Sequence, residues 1–431
     1  MIRKLCELQA RGRHIRVGVV GCGAMGTGVA SQVARTPGMR LVFMGALDED
    51  SLRKSAEASG LRAVPVRNTE APPDPKEGEV LITTGTLSLL KTLKVDVLVE
   101  CTNSIYDAAL YCLAAIDQKA HVVLMNGEVD FVFGTLLAHE ARKQGVVVTS
   151  DAGDQHGVLA TMAEEIQLWG FRIVQAGNMK GFLNRHATSE TQTGIAAKLG
   201  LSVIQCVSYT DGTKMNIEQA LIGNYLGLTP LVPGMEGPVC SDLREVLDKF
   251  DFSKYGDGGH VDYTLGVPWP GGGVYIVGYC DDTWQDFMLR YYKVTSRRPY
   301  YLFFRPYHLC HIETPRAIAQ AYFEHRPVIS PPLGRKINDV FAYAKQDLKE
   351  GQLIHRALGG DEVYGMIDAR ENAEARNALP VALLQGSGKQ CARLKVAKRR
   401  DAPLLLSDIE IPRTPFHDLL NRQAELIKSI E

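Results

Sequence analysis

Through the first third of the chain, short unbroken apolar runs take turns with stretches whose apolar positions recur at helical spacing. Residues 15–20 form one such run and predict a strand, 27–36 carry the helical spacing, and 41–47 form the next apolar run. The alternation continues with strands expected at 95–100, 120–125 and 146–149, and helices at 105–117 and 129–144. Parallel strands need a crossover between them, and a helix supplies it, so this order predicts a doubly wound parallel α/β sheet over 1–150. Residues 67–79 interrupt the pattern with Pro72, Pro73 and Pro75 among acidic residues and read as a surface loop.

Past residue 150 the texture changes to longer, less regular stretches rich in glycine, tyrosine and proline. Apolar alternation at 274–279 and 300–304 predicts antiparallel strands, so 151–335 reads as a central α+β domain. That domain is expected to carry the substrate site, because the first one commits its strand ends to a cofactor. The remainder, 336–431, reads as a small β-rich domain of short apolar and glycine-rich runs. Within it, Lys349-Glu-Gly-Gln-Leu353 and Arg400-Asp-Ala-Pro-Leu404 look like two copies of one turn. Leu419, Leu420, Leu426 and Ile427 give 416–430 the pattern of a closing amphipathic helix.

Charge and cysteine usage narrow the class. The 431 residues include 48 basic against 49 acidic side chains, which leaves no bias toward nucleic acid or an anionic membrane surface. The nine cysteines are scattered without a C-x-x-C pair, the usage of reduced thiols in the cytosol. No apolar run approaches the roughly 20 residues of a membrane span, and 1–16 is too polar for a signal peptide. A cytoplasmic protein acting on a small molecule is expected.

The first apolar run leads directly into Gly21-Cys-Gly-Ala-Met-Gly26, a G-x-G-x-x-G segment between a strand and a helix. In that setting the first glycine allows a tight turn, the second lets the backbone approach a pyrophosphate, and the third lets the helix pack close. Gly21, Gly23, Ala24, Met25 and Gly26 are therefore expected to hold a nicotinamide dinucleotide, with Asp48 at the ribose. Asp48 suits NAD(H), whereas Arg53 and Lys54 suit the 2′-phosphate of NADP(H). Thr102, Asn103, Asn126 and Gly127 follow expected strand ends and should border the nicotinamide.

Proton transfer at a carbonyl oxygen calls for His, Lys or Tyr with a polar neighbour. Gly153-Asp-Gln-His-Gly157 offers Asp154 and His156 in a turn after the last strand of the first domain, and Gly177-Asn-Met-Lys-Gly181 offers Lys180 in a loop after an apolar strand. Between Tyr209 and Glu218, Asp211 is positioned to cap a helix on which Lys214 and Glu218 lie one turn apart. Arg305, Tyr307, His308, His311 and Glu313 form a further cluster, where two histidines and a carboxylate leave a metal reading open. A divalent metal could also assist a hydroxy-carbonyl substrate, with Asp154, Asp211 and Glu218 the carboxylates to consider.

Gly21 to Gly26, Asn126-Gly-Glu128, G-N-M-K-G-F-L-N-R from Gly177 to Arg185, Asp211-Gly-Thr-Lys-Met-Asn216, Val261-Asp-Tyr-Thr-Leu-Gly266 and R-P-Y-H-L-C-H from Arg305 to His311 together carry a resemblance. Over nearly its whole length the chain resembles the homoserine-dehydrogenase-related oxidoreductases with a C-terminal SAF-type domain, in particular the deoxyxylulose-phosphate reductoisomerase-like enzymes. The resemblance implies an N-terminal Rossmann domain, a central catalytic and dimerising domain, and a small β-rich SAF-like domain. It implies NADP(H) in preference to NAD(H), a homodimer, and a place in isoprenoid biosynthesis through reduction of 1-deoxy-D-xylulose 5-phosphate to 2-C-methyl-D-erythritol 4-phosphate. By the same likeness Lys180, Asp211, Lys214, Arg305 and His308 would line the substrate site, with Asn126 and Glu128 beside the nicotinamide. Gly194-Ile-Ala-Ala-Lys198 has glycine where homoserine dehydrogenases carry an aspartate, which argues against homoserine as substrate. A simple dehydrogenase of a sugar, polyol or hydroxy-acid, and a nucleotide-binding regulator without chemistry, are the alternatives.

Overall fold

The computed structural model describes residues 1–67, 70–256, 258–385 and 391–430. Chain packing separates two compact units, one of 1–157, 309–334 and 426–431, the other of 158–308 and 335–425. Residues 335–425 thus group with the central region, while 309–334 return to the first unit.

The first unit opens with α1 (Ile2–Ala10), β1 (Ile15–Val20), α2 (Ala24–Arg35), β2 (Met39–Gly45), α3 (Glu49–Ala58), β3 (Arg62–Pro65) and β4 (Glu79–Thr83). It continues with α4 (Thr86–Leu90), β5 (Val97–Glu100), α5 (Tyr106–Asp117), β6 (His121–Leu124), α6 (Gly127–Gln144) and β7 (Val148–Ser150). The seven strands form one parallel sheet ordered β3-β4-β2-β1-β5-β6-β7. Strand order reverses at β1, so the connections after β1 and β5 leave on opposite sides and open a crevice at their carboxyl ends. Val17, Val19, Val97 and Val99 are fully buried, as expected of strands covered on both faces.

Two strands escape the hydrophobic pattern. β3 is short, half exposed and at the sheet edge, so it shows no apolar run, and β4 holds only Val80, Leu81 and Ile82 between a glutamate and a threonine. The expected loop lies between them: Asp74 pairs with Arg16 at 2.7 Å and the Pro75 carbonyl accepts from Arg40. Its Asn68 and Thr69 fall outside the described residues.

The chain leaves the first unit through α7 (Gln155–Leu168) and enters the second at β8 (Arg172–Lys180). There follow α8 (Ser189–Leu199), α9 (Val203–Thr210), α10 (Thr213–Leu226), α11 (Val246–Lys249), β9 (His260–Leu265), β10 (Gly273–Tyr279), α12 (Thr283–Tyr291), β11 (Thr295–Arg297) and β12 (Tyr300–Arg305). These strands form a five-stranded mixed sheet ordered β11-β12-β10-β8-β9, in which β10 and β12 are antiparallel, as their alternation predicts. The expected loop around Lys180 is strand instead: β8 runs through Lys180, because β10 and β9 hold it on both sides. α13 (Thr314–Glu324) belongs to the first unit, where Ala317, Ile318 and Ala319 join the core under β5.

Back in the second unit, β13 (Asn338–Ala344) pairs antiparallel with β15 (Val363–Ala369), and β14 (Leu353–Ile354), β16 (Ala392–Leu394) and β17 (Ile409–Glu410) make a small sheet. α14 (Arg370–Ala375) follows β15, and α15 (Pro415–Lys428) closes the chain. Both copies of the turn form, but the second is set one residue earlier than the expected match, with Lys349 corresponding to Arg399 and Gly351 to Asp401. Leu348 and Lys398 exchange both backbone hydrogen bonds, at 2.8 and 2.9 Å. Gly351 N–H donates to Leu394 at 2.9 Å, as Asp401 N–H does to Ala344 at 2.8 Å. Each copy needs a left-handed residue, supplied by Gly351 at φ +77° and by Asp401 at φ +65°. Among the described residues no helix is long and apolar enough to cross a membrane.

Candidate functional site

In the first unit the glycines divide their labour as the motif requires. Gly21 turns the chain at φ +95°, and a side chain there would meet the Cys101 carbonyl and the Thr102 nitrogen. A methyl on Gly26 would overlap the Gly21 carbonyl, so glycine alone lets α2 sit this close to β1. A methyl on Gly23 would meet nothing within 4 Å. Gly23 is also the N-cap of α2, with no side-chain acceptor and no acidic residue in the first turn, and Ala24 and Met25 beside it are exposed. The helix therefore presents backbone N–H groups and its positive dipole end to open space, an anion site that fits a pyrophosphate.

Asp48 follows β2 and is exposed. It accepts the Ser51 N–H at 2.8 Å as cap of α3, and hydrogen bonding from Ser51 holds its carboxyl below the usual range. Arg53 is turned to Glu49, 2.6 Å away on the same helix.

At the other strand ends, Asn126 caps α6 by accepting the Val129 N–H at 3.2 Å and donates to the Ser104 carbonyl at 2.9 Å. It thereby ties the loop holding Thr102 and Asn103 to the end of β6, with Glu128 in the first turn of α6. Glu100, the fully buried last residue of β5, is not among the expected site residues. Its carboxyl accepts the Thr102 N–H at 2.8 Å, yet burial pushes its pKa up to about 8. An acid closing an otherwise apolar strand was the available signal. Asp151, also fully buried, takes the N–H of Gly153 at 2.7 Å and of Asp154 at 3.2 Å, and burial together with Asp154 pushes its carboxyl upward.

The segment from Gly153 to Gly157 is packed, with Asp154, Gln155 and His156 buried. Gly153 lies so close to Cys310 that a methyl would overlap the Cys310 carbonyl, and it accepts the Cys310 N–H at 2.9 Å. Of the Arg305 to Glu313 cluster, Arg305, Tyr307 and His308 group with the second unit, and His311 and Glu313 with the first. The His311 ring packs against Gly28 on α2, and the Glu313 carboxylate takes the Leu309 N–H at 3.0 Å.

In the second unit, strand register gathers residues distant in sequence. Val274 of β10 stands opposite both Arg305 of β12 and Asn178 of β8, and Asn178 stands beside Tyr263 of β9. Directly paired residues share a face, so Arg305, Val274, Asn178 and Tyr263 form one row, with Lys180 two positions beyond Asn178 on the same face. The Lys180 ammonium lies over the Tyr209 ring at 4.4 Å, and the residue as a whole is only 6 % exposed. Arg305 stacks on Tyr307 at 5.0 Å.

The helix expected near Asp211 does form, but its cap is Gly212, whose φ of +83° only glycine takes easily. Asp211 instead closes α9, accepts the Thr213 N–H at 2.8 Å and pairs with Lys345 at 2.8 Å, both side chains fully covered. Lys345 also donates to the Gly360 carbonyl at 2.6 Å. Lys214 and Glu218 lie 4.0 Å apart along α10, which packs on β8 and β9.

Comparison with known families finds two matches: residues 21–149 fit the homoserine dehydrogenase NAD-binding domain, and residues 153–314 the catalytic domain of oxidoreductase DRL. No curated protein matches the chain. Among solved structures, GenD2 from gentamicin A biosynthesis in complex with NAD is 12 % identical, covering 74 % of this chain and 89 % of its own at a TM-score of 0.41. Dihydrodipicolinate reductase from Paenisporosarcina sp. TG-14 is 14 % identical over 73 % of this chain and 97 % of its own, at 0.36. Myo-inositol 2-dehydrogenase from Lactobacillus plantarum is 12 % identical over 62 % and 74 %, also at 0.36. With the glycine-rich opening in place and both matches found, the chain is an NAD(P)-dependent oxidoreductase, similar over 21–149 to the homoserine dehydrogenase NAD-binding domain and over 153–314 to the oxidoreductase DRL catalytic domain.

Proposed function

We propose that the chain moves a hydride to or from the carbonyl carbon of a small, polyhydroxylated and phosphorylated compound, with Lys180 holding or moving the proton at the oxygen. The supporting observation is Lys180 itself: a buried lysine on a strand paired on both sides, with its ammonium over an aromatic ring and on the same face as Asn178. The nicotinamide supplies or accepts the hydride when bound. In the reducing direction Lys180 polarises the carbonyl and gives its proton to the forming alkoxide; in the oxidising direction the neutral amine takes the proton of the hydroxyl. Asn178 orients the oxygen, and Arg305 offers a planar fork to a charged substituent. Lys214 and His308 complete the proposed substrate site, while Asp211 acts through Lys345 and Thr213 by fixing where α10 begins.

The dinucleotide would lie with its pyrophosphate on Gly23 and the start of α2, and its nicotinamide half near Thr102, Asn103, Asn126 and Glu128. Asp48 is a carboxylate that would repel a 2′-phosphate, and Arg53 is engaged by Glu49, so the residues favour NAD(H) over the NADP(H) expected from resemblance. A divalent metal fits Asp211 and Glu218 poorly, since each already faces a lysine. The paired turns support an SAF-type reading of the C-terminal region, and a homodimer in isoprenoid biosynthesis remains part of this proposal.

Reduced-nicotinamide absorbance, followed with deoxyxylulose phosphate and a panel of sugar phosphates, polyols and hydroxy-acids, tests the substrate class. Turnover confined to phosphorylated hydroxy-carbonyls is expected, and methylerythritol phosphate as product would specify reductoisomerisation. Turnover confined to uncharged polyols would overturn the phosphorylated substrate.

A further inference from the structure

The helix α12 of the second unit is amphipathic with its faces exchanged. The residue it buries is a carboxylate: Asp286 accepts the hydroxyl of the fully buried Tyr301 at 2.8 Å and pairs with Arg290 at 2.8 Å. Trp284, Phe287 and Tyr291, spaced i, i+3 and i+7, line the side away from Asp286 and are 69, 55 and 70 % exposed. Tyr292, 64 % exposed, continues the row, its ring 5.4 Å from that of Tyr291, and the Trp284 and Phe287 rings lie 5.7 Å apart. A helix held only by its own domain would turn these rings inward, where burial stabilises them.

The apolar surface continues past the helix. The Gln285 side chain donates to the Trp169 carbonyl at 2.9 Å, which brings the exposed Leu168 and Trp169 against the start of α12. At about 150–250 Å² for a whole aromatic side chain, the uncovered parts of these six residues come to about 700 Å². The largest apolar patch of a monomer is typically about 300–600 Å², and a stable interface covers about 800 Å² of each partner. The patch thus has the size a dimer needs. Charge along the helix is self-complementary as well. Asp281 and Asp282 stand exposed at its start, and Arg290 and Lys293 at its end, Arg290 while also holding Asp286. Two copies laid antiparallel about a two-fold axis bring each acidic end to the other's basic end, with the aromatic rows between them.

We propose that the aromatic face of α12 seats the same face of a second copy of this chain, antiparallel about a two-fold axis. The contact rests on the homodimer of the proposed function, to which it assigns a surface, and on no step of the reaction. Helices running in the same sense would set acid against acid and base against base, so the order of charges selects the antiparallel arrangement.

Light scattering coupled to size exclusion, over a range of concentrations of the full chain, compares wild type with Phe287→Glu, Trp284→Gln, Asp281→Lys, Lys293→Glu and the double variant of the last two. NADH affinity is followed in parallel as a check on folding. Wild type is expected to be a dimer, and Phe287→Glu a monomer with unchanged NADH affinity. Because each substitution occurs twice across the two-fold, Trp284→Gln should raise the dimer dissociation constant by about 10²-fold to 10³-fold, and it provides the test if Phe287→Glu does not fold. Each single charge reversal should weaken the dimer by about 10-fold, and the double variant should regain the wild-type constant. A monomeric wild type would overturn the contact and the homodimer together. A dimer equally tight in wild type, Phe287→Glu and Trp284→Gln would overturn this face while leaving a homodimer built on another; a double variant weaker than both charge reversals would overturn the antiparallel arrangement.

Discussion

Burial decides the behaviour of single residues more than their type does. Glu100 ends a central strand where water does not reach, so its carboxyl holds its proton up to about 8 instead of the ordinary 4.5. In the unfolded chain the group ionises at the ordinary value, and folding must then restore the proton. The stability it contributes is complete below that value and is lost as pH rises through about 8, on the order of 1 kcal/mol per pH unit. Thermal denaturation should therefore show a midpoint falling between about pH 5 and 8. Glu100→Gln, which keeps an acceptor for the Thr102 N–H but cannot ionise, should flatten that fall. Asp262, raised to about 7 by burial, adds a slope of the same sign that the variant would leave in place. A decline as steep in Glu100→Gln as in wild type would show that Glu100 ionises normally in the folded chain.

Elements are fixed by residues the sequence pattern marks only weakly. The strands of the first sheet are legible because they are buried on both faces, and the glycines at 21, 23 and 26 announce their turn. β3 is not legible, since edge exposure removes the apolar signal that would mark it, and β4 shows only the three apolar residues Val80, Leu81 and Ile82, too short a run to stand out. Around Lys180 the flanking glycines suggest a loop, but pairing with β9 and β10 outweighs the propensity of Gly177, whose missing side chain makes room for the Tyr275 ring. The repeated turn is faint in sequence because one copy uses Gly351 and the other Asp401 in the same left-handed position.

The junction of α9 and α10 depends on a buried ion pair that no local pattern reveals, because Lys345 lies far along the chain from Asp211. Removing one partner leaves a covered charge without compensation, typically worth about 3–5 kcal/mol. Lys345→Met should destabilise the chain by that order in urea titrations, and adding Asp211→Asn should recover part of the loss. A Lys345→Met variant as stable as wild type would mean that Asp211 is not ionised in the folded protein.

At the scale of the molecule, the chain forms two compact units, and the proposed function assigns the dinucleotide to the first and the substrate residues to the second. The candidate residues Lys180 and Arg305 are more than a hundred positions apart, and only the antiparallel register of β8, β10 and β12 puts them on one face. Asn178 of β8 joins them in the same row, Tyr263 does so through the parallel pairing of β9 with β8, and Tyr209 reaches Lys180 from α9, placements that no local motif discloses. The most direct test separates the two tasks by Lys180→Met. NADH affinity should stay at the wild-type value while kcat with the turned-over substrate falls by about 10²-fold to 10⁴-fold, the range for losing a general acid or base. Turnover preserved in Lys180→Met would remove the lysine from the chemistry and with it the proposed reaction site.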